Sequence, residues 1–77
     1  MNRSEFLKSL AELLQEDPAT VTPETPMESI AAWDSMGMLT VIAFFDRDIG
    51  VQVDVDLLRK CGTLGDVMAL AGGKIAS

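Results

Sequence analysis

Three prolines, Pro18, Pro23 and Pro26, lie close together in the first half of the chain. Proline cannot donate a backbone hydrogen bond, and it pushes the preceding residue into extended geometry. Residues 17–34 are therefore predicted to form a long loop. A loop of this length in a compact domain is usually functional or is held by its own side chains. The residues predicted to hold it are Val21, Met27 and Ile30, with a short helical turn within 27–32.

The segments on either side of this loop have helical periodicity. A first helix is predicted over 3–15, where Asn2 followed by Glu5 fits a capping box. A second helix is predicted from Ser35 to about Ile49, with Gly50 as a left-handed stop. Residues 51–55 alternate like a strand, but the sequence offers no second strand to pair with them. An extended segment whose valines fill the core is predicted instead.

A short third helix is predicted next, capped by Asp54 or Asp56 and ended by Gly62. It would hold Leu57, Leu58 and Cys61.

A fourth helix is predicted to open with Thr63 and Asp66, another capping pattern, and to end at Gly72 and Gly73. Residues 72–77 are predicted to form a frayed tail. The predicted fold class is all-α: a small four-helix bundle of three longer helices and a short third one. It is expected to form a single domain over residues 1–77.

Composition excludes several kinds of partner. Twelve acidic and six basic residues give a net charge of −6, which argues against nucleic acid and anionic membranes. The longest uncharged run, residues 35–45, is far shorter than the ~20 residues of a spanning helix. The single cysteine excludes an internal disulfide and a zinc site, and it fits a reducing, cytoplasmic location. We expect a monomer without membrane insertion.

The residue types also argue against catalysis. The chain has no histidine and no tyrosine, so a Ser-His-Asp triad is impossible. It contains no Gly-rich phosphate-binding loop. Asp54 and Asp56 supply too few oxygen ligands for a hard cation, so no metal site is predicted. We expect a protein that is not an enzyme.

The second helix has two different sides when its residues are placed at about 100° intervals. One side is predicted to face the core and contains Met38, Val41, Ile42, Phe45 and Ile49, with Phe44 at its margin. The other side carries Met36, Leu39, Thr40, Ala43 and Arg47, with Asp46 on its edge. An exposed apolar stripe of this kind indicates a partner surface. The alternative, that another helix covers it, stays open.

Ser35 is the candidate functional residue. Asp34 directly before it is suited to cap the second helix, which would leave the serine hydroxyl exposed on the first turn. A phosphodiester attached there would lie in the favourable field of the helix dipole and close to free backbone amides. We therefore expect Ser35 to be modified rather than to catalyse a reaction.

The motif Asp34-Ser35-Met36-Gly37, at the start of the second of four helices, resembles the Asp-Ser-Leu motif of the acyl carrier protein family. The resemblance covers essentially the whole chain. It implies that a separate Mg²⁺-dependent phosphopantetheinyl transferase attaches 4′-phosphopantetheine from coenzyme A to Ser35. It also implies that the arm's thiol carries acyl groups as thioesters, and that Asp34 contributes to recognition by the transferase. Cys61 is expected to be a small core residue, not that thiol.

The chain also departs from carriers of primary fatty acid synthesis, which have acidic residues along the outward side of the second helix. Gly37 and Thr40 replace such acids, Arg47 adds a positive charge, and only Asp46 keeps the expected sign. Gly37 would admit a partner closely or simply be tolerated in the first turn. These departures point to a specialised lipid, fatty acid or polyketide-type pathway. The implied partners are the transferase, an acyl or aminoacyl ligase and acyl-processing enzymes.

Two alternatives remain open. The Asp-Ser-Met-Gly motif also resembles D-alanyl carrier proteins, which would carry an aminoacyl group on the same arm. The other alternative is an unmodified helical interaction module that uses the stripe containing Met36, Leu39 and Ala43.

Overall fold

The computed structural model describes residues 2–75. Within this range the fold is all-α, as predicted, and contains no strand. Its helices are α1 (Arg3–Leu13), α2 (Ser35–Phe44), α3 (Val55–Arg59) and α4 (Leu64–Ala69), with short 3₁₀ turns at Met27–Ser29 and Gly72–Lys74. None of the helices in residues 2–75 combines the length and apolar character needed to cross a membrane.

Helix α1 begins as predicted and ends earlier than predicted. The Asn2 side chain accepts a bond from the Glu5 amide at 2.8 Å, and the Glu5 carboxylate accepts one from the Asn2 amide at 3.1 Å. The helix stops at Leu13 because Gln15 is left-handed, with φ 61°. The Glu16 amide then donates to the Ala11 carbonyl at 2.8 Å, which closes a Schellman-type end around a non-glycine residue.

The long loop is held from two directions. Val21, Met27 and Ile30 are buried, and a short turn of helix begins at Met27, both as predicted. The loop also pairs with the segment before α4, because the Met27 amide donates to the Gly62 carbonyl at 2.9 Å. An isolated antiparallel bridge joins Pro26 to Thr63 at the same point. The loop therefore has a fixed course across the molecule.

The second helix reaches Ile49, as predicted, because α2 continues beyond Phe44 as a π-helical turn over Phe45–Ile49. The Phe45 carbonyl accepts bonds from the amides of both Gly50, at 2.7 Å, and Val51, at 3.1 Å. Gly50 takes the predicted left-handed conformation, with φ 79°. The wider turn brings two consecutive amides to one carbonyl, which a regular α-helical pattern does not anticipate.

Three phenylalanines form the centre of the core. The Phe6 ring lies 5.6 Å from Phe44 and 5.5 Å from Phe45 between ring centroids. Phe44 is only 4% exposed, so its predicted place at the margin of the core side is wrong. The side chain belongs to the core because α1 packs over that edge of α2.

The third helix is shorter than predicted. The Asp54 carboxylate caps it by accepting the Leu57 amide at 2.9 Å, and Val53 before it is buried. The helix ends at Arg59, so Cys61 lies outside it and Gly62 is not its stop. The Gly62 carbonyl and amide instead bond to Met27 and Asp66, at 2.9 and 2.8 Å, which draws this segment away from the helix axis.

The fourth helix opens with the predicted capping box of Thr63 and Asp66. It ends at Ala69, before the predicted stop at Gly72 and Gly73, which lie in the 3₁₀ turn Gly72–Lys74. Ile75 packs, partly buried, against the core, so the predicted frayed tail does not extend to this part of the chain. The remainder of that tail, residues 76–77, lies outside the described residues.

Candidate functional site at the start of the second helix

Ser35 is the first residue of α2, and its hydroxyl is free. Asp34 is the capping residue, with extended backbone, and its Oδ1 accepts the Gly37 amide at 2.9 Å. Ser35 is exposed, and within residues 2–75 its hydroxyl makes no hydrogen bond. Because Asp34 already caps the helix, Ser35 is not needed for that role.

The turn before α2 fixes the direction in which the chain enters the helix. The Trp33 amide donates to the Ile30 carbonyl at 3.0 Å, and the Asp34 amide donates to the Ala32 carbonyl at 2.9 Å. Ile30 is 4% exposed and connects this turn to the core. Ser35 therefore follows a turn that is bonded and packed immediately before it.

Gly37 lies against this turn. An alanine Cβ at position 37 would overlap the Ala32 carbonyl oxygen and would lie 3.2 Å from the Ala32 carbonyl carbon. It would also lie 3.4 Å from Cδ2 of Leu14, at the end of α1. The close approach is therefore made by the chain's own loop. The prediction that glycine is simply tolerated here is therefore wrong, while approach by a partner stays a prediction.

The outward side of α2 is exposed as predicted, so no helix within residues 2–75 covers it. Met36 is 72% exposed and Leu39 is 59% exposed, while Thr40, Ala43, Asp46 and Arg47 are exposed as well. The Thr40 hydroxyl donates to the Met36 carbonyl at 3.0 Å, so it is turned back onto the helix. The side from Met36 to Ala43 is therefore apolar and uncharged.

The charges beyond Ala43 largely offset one another. The Arg47 guanidinium donates to the Asp48 carboxylate at 3.2 Å, and both side chains are accessible to solvent. Asp46 is exposed beside them. The pairing with Asp48, which sequence reasoning missed, gives the end of α2 a slight negative balance instead of a free positive charge.

A groove of about 500 Å³ opens beside the start of α2. Trp33 and Met38 line one part of it, Met27 and Cys61 another, and Glu28 and Arg59 contribute charged groups. No local sequence pattern indicates this groove, because it is formed between the loop, α2 and the segment after α3. Trp33 and Met38 lie two residues before and three residues after Ser35, so the groove is next to the candidate site.

The surroundings of Cys61 in this groove disfavour the thiolate form of its side chain. Partial burial, and secondly the nearby negative charge of Asp66, raise the pKa of its thiol above the ordinary value. The thiol donates a weak hydrogen bond to the Leu57 carbonyl at 3.5 Å. As predicted, Cys61 is a half-buried packing residue. No group of three or more potential metal ligands occurs in the described part of the chain.

A family model described as "Phosphopantetheine attachment site" matches residues 4–71. The chain belongs to this phosphopantetheine-attachment family. It is also similar to an acyl carrier protein of Thermosynechococcus vestitus (strain NIES-2133 / IAM M-273 / BP-1), at 28% identity over 81 aligned positions that cover the whole of both chains. No solved structure gives a significant match.

Membership of the phosphopantetheine-attachment family confirms the predicted resemblance and the cofactor, 4′-phosphopantetheine, which is held covalently. It also confirms that the protein is a carrier and not an enzyme. The alternative of an unmodified interaction module is therefore wrong. Family members interact with phosphopantetheinyl transferases and acyl-processing enzymes. The structure fits this cofactor. Attachment requires an exposed hydroxyl without another hydrogen-bond partner, and the Ser35 hydroxyl meets both conditions within residues 2–75.

Proposed function

We propose that Ser35 holds the 4′-phosphopantetheine arm, and that the protein carries acyl groups in a specialised lipid or polyketide-type pathway of the cytoplasm. The observation that supports the attachment most directly is the exposed Ser35 hydroxyl, left free by the capping bond of Asp34. When bound, the arm supplies a thiol that can form thioesters.

The first turn of α2 suits a negatively charged phosphodiester. The Asp34 carboxylate accepts a hydrogen bond from the Gly37 amide, and the Asp34 carbonyl accepts one from the Met38 amide at 2.9 Å. Within the described residues, the amides of Ser35 and Met36 have no backbone acceptor. These free donors and the helix dipole stabilise negative charge at this position.

The proposed partner surface begins at Asp34 and follows the outward side of α2. It consists of Asp34, Met36, Leu39, Thr40, Ala43, Asp46 and Arg47, with Gly37 shaping the helix start from the inside. The middle of this surface is uncharged and contains two exposed large apolar side chains, Met36 and Leu39. It therefore suits enzymes whose docking surfaces are more apolar than basic, which supports a specialised pathway.

Intact-mass measurement tests the attachment. The protein is incubated with coenzyme A, Mg²⁺ and a broad-specificity phosphopantetheinyl transferase, and we expect a mass gain of one arm. Ser35→Ala should show no gain. Ser4→Ala is the matched control, because Ser4 is also exposed in the first turn of a helix, and it should be modified like the wild type. A folded wild type that gains no mass would contradict the proposal.

Loading of the modified protein tests the cargo. A panel of acyl ligases and a D-alanyl ligase is supplied with ATP and their substrates, and the product is identified by mass. Acyl loading supports the proposal. Selective loading with an amino acid would show that the carrier is of the aminoacyl type, which the Asp-Ser-Met-Gly motif also resembles.

A further inference from the structure

Gly37 is the only glycine at the third position of an α-helix in the described chain. The corresponding residues of α1, α3 and α4 are Glu5, Leu57 and Asp66, and each donates its amide to the capping side chain of its helix. Glycine costs up to about 1 kcal/mol relative to alanine within a helix. A glycine at this position therefore points to a packing or functional reason.

The packing reason is the Ala32 carbonyl group, which occupies the space of a side chain at position 37. The same carbonyl oxygen accepts the amide of Asp34 at 2.9 Å. Asp34 in turn caps α2 through the amide of Gly37 itself, also at 2.9 Å. Ala32, Asp34 and Gly37 are therefore each in contact with the other two, and Ser35 lies between Asp34 and Gly37 in the chain.

We infer that Gly37 is a positioning residue for the modification of Ser35. Its missing side chain lets the Ala32 carbonyl lie against the first turn of α2, and this contact sets the orientation of the Asp34–Ser35 backbone. The inference rests on the proposed role of Ser35 as the attachment residue. It assigns to Gly37 a function inside the site and not on the surface that partners contact.

Substitution of Gly37 should lower the kcat of arm transfer and leave KM unchanged. In Gly37→Ala the Ala32 carbonyl must move, and the Asp34 amide that bonds to it must follow. The side chains of Met36 and Leu39 point outward on the helix and keep their exposure. A transferase should therefore still bind the variant, but the Ser35 hydroxyl should be misaligned for transfer, and a misplacement of about 1 Å can reduce a rate by up to about 100-fold.

The experiment measures steady-state transfer of the arm with the carrier as varied substrate. For Gly37→Ala we expect kcat to fall by about tenfold or more, with KM unchanged within about twofold. Gly65→Ala is the matched control, because Gly65 also lies in a first helical turn and its Cβ would lie 3.0 Å from the Pro23 carbonyl oxygen. Gly73→Ala, with open space around it, controls for the alanine itself. Both controls should keep the wild-type kcat.

A second measurement does not depend on the transferase. Amide NMR spectra and hydrogen exchange of the unmodified protein should show shifted resonances for Asp34 and Ser35 in Gly37→Ala, and faster exchange of the Asp34 amide. Gly65→Ala should leave both amides unchanged. If Gly37→Ala is partly unfolded, both measurements are made in trimethylamine N-oxide at a concentration that restores the native circular dichroism spectrum.

Three results would overturn the inference: an unchanged kcat in Gly37→Ala, an equal fall in Gly65→Ala, or unshifted Asp34 and Ser35 resonances. A failure of the proposed function is distinguishable from these, because the wild type itself would then gain no arm.

Discussion

The first turns of α2 and α4 begin in a similar way and serve different purposes. Each follows a polar capping residue, Asp34 or Thr63, whose side chain accepts the amide three residues later. The first residue of α4 is Leu64, which is fully buried, whereas the first residue of α2 is the exposed Ser35. In α4 the Asp66 carboxylate also accepts the amides of Gly62 and Thr63, at 2.8 and 3.1 Å.

The start of α4 is thus closed by side chains and buried, while that of α2 is open. At the third position of α2 a glycine stands where α4 has a carboxylate, and the space is filled by the Ala32 carbonyl group. A capping side chain that accepts the amide three residues later can therefore stabilise a buried helix start, as in α4, or leave the first residue of the helix accessible, as in α2.

The largest expected contrast comes from the first residue of each helix. Leu64→Ala should lower the free energy of unfolding by about 2–5 kcal/mol, because a fully buried leucine is replaced by a cavity. Ser35→Ala should change it by less than about 0.5 kcal/mol, since the side chain is exposed and makes no hydrogen bond to any residue in 2–75. Urea unfolding followed by circular dichroism measures both. A large loss in Ser35→Ala would show that this serine is structural.

The capping carboxylates should separate stability from modification. Asp66→Ala removes acceptors for two amides and should cost about 1–2 kcal/mol of unfolding free energy, without changing the rate of arm transfer to the folded protein. Asp34→Ala removes one acceptor, should cost about 1 kcal/mol, and should also slow the transfer. Unfolding curves and transferase kinetics on the same samples test this. Equal transfer rates in the two variants would contradict it.

The charges at the end of α2 should affect docking to partner enzymes. Arg47→Glu should speed exchange with fatty acid synthesis enzymes that dock acidic carriers, by about threefold to tenfold at low salt and less at high salt. The change removes a cation paired with Asp48 and adds an anion beside Asp46. Lys74→Glu makes the same charge change at an exposed site outside α2 and should have little effect. Unchanged kinetics in Arg47→Glu would show that this side of α2 does not face these enzymes.

The smallest expected effect concerns Cys61, whose thiol lies near the carboxylate of the α4 cap. Because burial and then Asp66 raise the thiol pKa, less thiolate is present at a given pH. Iodoacetamide should therefore alkylate Cys61 more slowly near pH 8 than in the urea-unfolded chain, and the difference should narrow as pH rises above the raised pKa. Asp66→Asn should speed the reaction slightly. Mass spectrometry follows the labelling, and equal rates in folded and unfolded protein would contradict the expectation.

Much of the helical framework could be predicted from local sequence. The capping residues Asn2, Asp34 and Thr63 each act on an amide three positions away, so the spacing of residue types contains the necessary information. Gly50 was recognisable in the same way as a left-handed stop. Helical geometry divided the residues of α2 into two sides, because one turn repeats every 3.6 residues, but only the tertiary structure showed that no helix within residues 2–75 covers the outward side.

The candidate site was predictable in part. The sequence marked Ser35 through its place after a capping aspartate and through the resemblance to carriers. It did not reveal why position 37 is a glycine, because the group that needs the space belongs to the backbone of Ala32. It also missed the groove beside Met38, since Cys61 and Arg59 reach it from a distant part of the chain.

The sequence by itself thus determined where most of the helices start, how the residues of α2 divide into two sides, and that Ser35 follows a capping aspartate. The tertiary structure decided where α1 and α3 end, how deeply Phe44 is buried, and what fills the space beside Gly37. The physical reason is the distance along the chain over which each interaction acts. Capping and periodicity act within one or two turns of the chain, whereas the close approach of a loop to a helix depends on how separate segments pack together.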